Sequence, residues 1–172
     1  SAFENIEFYF IGTGKLANDP NSHKIKQMAL KYELWEKVIY EYPKRIPYLD
    51  VLVHLNNCNG VFILGSTETH YTPSKLYQAV LSEKPIFAIL HQQSTASEII
   101  KESNVGVVVN FKDEKELELM NLSFAKGWTD YTQFLNTFNP ALIVHHNFDK
   151  YSAKNTTKTL VELLNHVTRE EE

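Results

Sequence analysis

The residues best suited to chemistry lie in one run, Gly65-Ser-Thr-Glu-Thr-His-Tyr-Thr-Pro-Ser-Lys-Leu-Tyr-Gln-Ala-Val-Leu-Ser-Glu-Lys-Pro85. An apolar strand ends at Leu64, and a polar loop of about eight residues leads into a helix. Thr72 has the side chain of an N-cap, and Pro73 suits the first helical position, where the N–H it lacks would be unpaired anyway. The free amides of such a first turn, with the helix dipole, attract an anion. Ser74 adds a hydroxyl donor and Lys75 a full positive charge. The chemistry expected here is the holding of a phosphate or pyrophosphate. A helix start with ordinary caps and a surface lysine fits the same residues, so spacing alone leaves both readings open.

The elements that must position this turn alternate along the chain. Short apolar runs at Ile6–Ile11, Lys37–Tyr40, Gly60–Leu64, Pro85–Leu90 and Val105–Val109 read as strands covered on both faces, because they are continuous rather than alternating. Helices are expected between them, at His23–Tyr32, Pro47–Asn57, Pro73–Lys84 and Thr95–Ser103. In the first of these, Ile25, Met28, Ala29 and Tyr32 share one face. Strand alternating with helix implies a parallel sheet. The fold class expected is α/β, a Rossmann-like, doubly wound parallel sheet of about five to six strands with helices on both faces and a C-terminal helix. In such a sheet the turn at Thr72 lies at the carboxyl ends of the strands, where ligands bind. After Phe111 the alternation stops. Asp113–Lys126 is expected to be helical, Gly127–Pro140 irregular and Ser152–Arg169 a long helix with Leu160, Leu163, Leu164 and Val167 on one face. Residues 1–112 are read as the core and 113–172 as a helical extension of the same domain.

Composition narrows the classes. The chain has 172 residues, a hydrophobic content of 43% and a net charge of −4, and it holds no basic run that would neutralise a nucleic-acid backbone. Apolar runs stop at about six residues, far short of the ~20 that span a bilayer. Cys58 is the single cysteine, read as a small buried hydrophobe in a reducing compartment. A cytoplasmic location, at most peripheral to the inner face of a membrane, is expected. The chain opens on Ser1-Ala2 and enters a strand almost at once, so further chain is expected upstream.

Other signals are set aside. Gly12-Thr-Gly-Lys-Leu-Ala17 fits the dinucleotide fingerprint, but Asn18-Asp19-Pro20-Asn21 would break the helix that must open in the glycine turn, and Glu41 comes late for a ribose carboxylate. No metal is expected, since adjacent His145 and His146 point apart and nothing completes a ligand spacing. His91, after the fourth strand, reads as solvent-exposed. The rings of Phe124, Trp128, Tyr131, Phe134 and Phe138 read mainly as core, and no nucleophile elbow is present.

Pro73-Ser-Lys-Leu-Tyr-Gln-Ala-Val-Leu-Ser-Glu-Lys-Pro85-Ile-Phe-Ala resembles the proline–serine–lysine segment, with its downstream Lys-Pro, of GT-B glycosyltransferases, closest to family 4-like enzymes of bacterial polysaccharide assembly. Ile6–Gly14, Pro47–Leu64 and Glu98–Val109 resemble flanking segments of that family. The resemblance implies the C-terminal, nucleotide-sugar-binding half of a GT-B fold, which takes a sugar from a nucleotide diphosphate to a glycan or lipid-linked acceptor and needs an N-terminal acceptor-binding domain for turnover. It implies donor contacts from Gly12, Thr13 and Gly14 and from Thr72, Ser74, Lys75, Leu76 and Gln78. It also places the loop Tyr42–Ile46 beside the base, and implies retention of configuration without a metal or other cofactor. The family's two glutamates fall on His70 and Gln78 here; Glu68 is the nearest carboxylate to replace the sugar-facing one, and no catalytic residue is assigned. The alternative is a non-catalytic nucleotide- or phosphosugar-binding module of the same fold.

Overall fold

The computed structural model describes residues 6–14, 19, 21–69 and 71–170, the last two of these without their side chains. It divides into two compact units, Ser1–His54 and Leu55–Glu172, and the division falls inside a helix. The first unit pairs β1 (Phe8–Ile11) with β2 (Ile39–Tyr42) in parallel, Phe8 opposite Ile39 and Phe10 opposite Glu41, with α1 (Lys26–Lys31) between them in sequence. Helix α2 (Tyr48–Asn57) carries the chain from one unit into the other.

The second unit is built on a parallel ladder in the order β3 (Val61–Leu64), β4 (Ile86–His91), β5 (Gly106–Phe111), joined by α3 (Leu76–Leu81) and α4 (Thr95–Glu102). Every residue of β4 is buried, as a central strand covered on both faces requires. Ile86, Ala88 and Leu90 belong to the core with Leu76, Val80, Ile99 and Ile100 of the crossover helices. Phe87 points the other way, 5.3 Å from the Trp128 ring and 5.2 Å from Tyr131. Those rings lie on α6 (Asn121–Thr137), which follows α5 (Glu114–Glu118).

The fold class is therefore α/β with parallel strands, as expected, but the five strands form ladders of two and three, not a single sheet of five to six. A second correction concerns Gly127–Pro140, which was expected to be irregular. Helix α6 runs through Gly127 to Thr137, because the glycine has no Cβ to meet Val109 and the helix can lie against β5. The chain ends in α7 (His145–Asp149) and α8 (Ala153–Glu170). The apolar face of α8 is in solvent, with Leu160, Leu163, Leu164 and Val167 all more than half exposed. Among the described residues no helix is long and apolar enough to cross a membrane.

Candidate functional site

Polar groups gather in each unit, and each set stands by itself. In the second unit they follow β3. Gly65 closes against β4, its N–H donating to the Ile89 carbonyl at 2.8 Å, and a Cβ there would sit 2.9 Å from Leu90 Cδ2. The Ser66 hydroxyl accepts from Glu68 N–H at 3.2 Å, and Tyr71 N–H donates to the Glu68 carbonyl. The Tyr71 carbonyl then accepts from the Ser94 hydroxyl at 2.7 Å. Ser94 is the N-cap of α4, and its buried oxygen also accepts from Ala96 N–H. The loop is thereby tied across the carboxyl ends of β3 and β4.

Beyond Tyr71 the chain alternates anchor and exposure. Pro73 and Leu76 are buried, while Ser74 and Lys75 between them face solvent. The Lys75 ammonium has no carboxylate partner among the described residues. The helix start differs from the expected one. Lys75, not Thr72, is the N-cap of α3; no side chain caps it, and the helix has only six residues. Leu76 N–H donates to the Pro73 carbonyl in a tight turn, so Leu76 contributes packing and closes the turn. With so short a helix the charge and hydroxyl of Lys75 and Ser74, rather than a dipole, are what this corner offers an anion. Gln78 is half-buried on α3 and Glu68 is exposed; His70 lies outside the described residues.

In the first unit, Gly12 (φ +76°) donates its N–H to the Tyr42 carbonyl at 2.8 Å, and Gly14 donates to Pro43 at 3.0 Å. Both amides implied as donor contacts are thus engaged within the unit. The Thr13 hydroxyl donates to Glu41 Oε1 at 2.6 Å. The same carboxylate accepts from the backbone N–H groups of Lys24 (2.8 Å), Ile25 (3.1 Å) and Lys26 (3.0 Å), with His23 Nδ1 at 3.1 Å. Glu41 therefore gathers the amides that lead into α1, from a strand fifteen residues onward. Burial pushes its carboxyl up, but the hydrogen bonds from Thr13 and the three amides outweigh it and hold the group at about 2. The glycine turn meets an anion here, and that anion belongs to the protein. Residues 15–17 of the dinucleotide fingerprint lie outside the described residues, and helix α1 opens at Lys26.

Glu41 escaped the sequence reading as a structural centre. The signals available were a lone carboxylate in the otherwise uncharged strand Ile-Tyr-Glu-Tyr and a helix start without a capping side chain of its own. His91 is a further correction, since it is buried at the end of β4 rather than exposed. Gln93 N–H donates to its Nδ1 at 3.2 Å, which leaves the proton on Nε2 to donate to the Lys112 carbonyl at 2.7 Å. Both ring nitrogens serve the backbone. Cys58 is half-buried with Sγ 3.2 Å from the Leu55 carbonyl, and burial pushes its thiol up, away from nucleophilic use. Among the described residues no three potential metal ligands come together.

Compared with protein-family models, with curated proteins and with solved structures, the chain gives no match. The comparisons assign no family.

Proposed function

We propose that this chain is the donor-binding part of a glycosyltransferase, one that moves a sugar from a nucleotide diphosphate to a glycan or lipid-linked acceptor. The reading rests on the Pro73-Ser74-Lys75-Leu76 resemblance, and one observation supports it above the others. Pro73 and Leu76 are buried, and between them an ammonium without a carboxylate partner among the described residues and a hydroxyl stand in solvent at the carboxyl edge of a parallel ladder. A departing diphosphate carries its growing charge on the leaving oxygens, and Lys75 would neutralise it there. The exposed leucine face of α8 is compatible with cover by an acceptor-binding domain, without which the chain would not turn over. Retention of configuration is part of the proposal, carried by the resemblance alone.

Calorimetric titration with UDP, GDP and their sugars tests the reading. Binding with Kd on the order of 1 µM to 1 mM, lost in Lys75→Ala while the fold is kept, is the expected result. A well-folded chain that binds none of these nucleotides removes the donor site. A second reading has its own observation: Gln78 offers an amide where the family carries a carboxylate, which favours a non-catalytic binding module of the same fold. Nucleotide binding without turnover, once the chain is joined to its acceptor-binding half, decides for that module.

A further inference from the structure

The first unit holds a cleft of about 510 Å³ over β1 and β2, within the size range of small-ligand sites. Its floor is aromatic. Tyr9 and Tyr40 stand side by side on the paired strands with ring centroids 4.9 Å apart and planes within 12°, and Tyr42 follows on the same face. Trp35, Glu36 and His54 also line it. Tyr9 and Tyr42 are 63% and 59% exposed, so their rings are open to a ligand. The Glu36 carboxylate, the His54 imidazole and the Tyr42 hydroxyl have no hydrogen-bond or ion-pair partner among the described residues. Glu36 itself is held in place, because the Tyr40 hydroxyl donates to its carbonyl at 3.0 Å.

We propose that this cleft binds a neutral saccharide. Each property of the lining argues for that class. The exposed Glu36 carboxylate contributes to the wall while no lysine or arginine does, so an anionic ligand would meet repulsion. An apolar ligand would cover Glu36, His54 and the Tyr42 hydroxyl without pairing them, which is costly. An organic cation is best held by rings that surround it, whereas Tyr9 and Tyr40 lie stacked on one another in a strip. A pyranose meets all three conditions. Its C–H face lies flat on an exposed tyrosine, and its hydroxyls give protons to the carboxylate and exchange hydrogen bonds with the imidazole and phenol. The inference is independent of the donor reading, which concerns Ser74 and Lys75 in the other unit.

The test is an NMR titration of the isotope-labelled chain with cellobiose, maltose and N,N′-diacetylchitobiose, with uridine as a separate arm. Saturable shifts of the Trp35 indole and of amides between residues 36 and 54, with Kd on the order of 1 mM for at least one disaccharide, are expected. Tyr9→Ala and Glu36→Asn should each weaken binding about fivefold or more without changing the circular dichroism spectrum, since both side chains are at the surface. Asparagine is chosen because Glu36 has φ +55°, a conformation asparagine tolerates. Lys75→Ala should leave these shifts unchanged, which separates this proposal from the donor site. No saturable shift with any of the three sugars, shifts that survive both cleft variants, or the same shifts produced by uridine would each overturn it.

Discussion

Replacing Glu41 by glutamine keeps the shape of the side chain and removes its charge. It also turns one acceptor into an NH2 group facing a donor, because the carboxylate now receives hydrogen bonds from Thr13, Lys24, Ile25 and Lys26. The magnitude follows from the titration. A carboxyl held at about 2 against an ordinary 4.5 stabilises the folded first unit by about 3 kcal/mol at neutral pH, at about 1.4 kcal/mol per unit. That is a large share of the roughly 5–15 kcal/mol that holds a domain together. The folded value lies below the unfolded one, so the contribution is complete above about pH 4.5 and is lost as pH falls toward about 2. Amide hydrogen exchange of α1 and the residues leading into it, followed by NMR in wild type and Glu41→Gln, reads this directly. The variant should lose about 3 kcal/mol of protection near pH 7, and the gap should shrink steadily below about pH 4.5. A difference under about 1 kcal/mol at neutral pH, or one that does not narrow in acid, would refute the role given to this carboxylate.

Other outcomes follow from the same packing. Gly127→Ala adds a Cβ that lands on Val109 Cγ2, so despite alanine's better helix propensity it should lower stability by about 1–3 kcal/mol in urea melts, with partial recovery in the Val109→Ala background. Tyr131→Phe removes the 3.2 Å hydrogen bond to the Pro85 carbonyl, which keeps the Val61 N–H at 2.9 Å, and should cost no more than about 1 kcal/mol in the same melts. In the wild type, burial with the nearby Cys58 pushes the Tyr131 phenol up to about 12; its contribution is complete below about pH 10 and fades as pH rises toward 12, visible as a late step in an ultraviolet tyrosinate titration. Ser94→Ala removes both the cap of α4 and the tie to Tyr71, and should cost about 1–2 kcal/mol while speeding amide exchange in residues 66–72. If only one of these two effects appears, the hydroxyl does not serve both partners. Lys75→Ala should abolish nucleotide binding in calorimetry with a melting curve like that of wild type, because the side chain is exposed and unpaired.

Periodicity located the elements well where packing follows from the residues themselves. The five apolar runs became β1 to β5 to within a few residues, because continuous runs such as Ile-Phe-Ala-Ile-Leu-His have no polar face to offer water. Helix α4 was legible for a local reason: a serine cap, Glu98 in the first turn and Lys101 in the last are all within the element. Its end is local too, since Asn104 takes φ +52° and its N–H returns to the Lys101 carbonyl. The start of α3 was misplaced although its signals are also local. Thr72 and Pro73 have the chemistry of a helix start, but Pro73 is drawn into the core and the first helical residue becomes the buried Leu76.

The alternation of strand and helix from β1 to β5, the parallel pairing of neighbours and the exposed polar corner at Ser74 and Lys75 were contained in the sequence, because they depend on the spacing of apolar and turn residues. Tertiary structure decided the rest. Only the fold could bring Glu41 to amides fifteen to seventeen residues earlier, give both His91 nitrogens to backbone, and let a glycine strengthen a helix by admitting it to β5. Each of these depends on a contact between segments distant in the chain, and the energy of such a contact belongs to the pair and is written in neither segment alone.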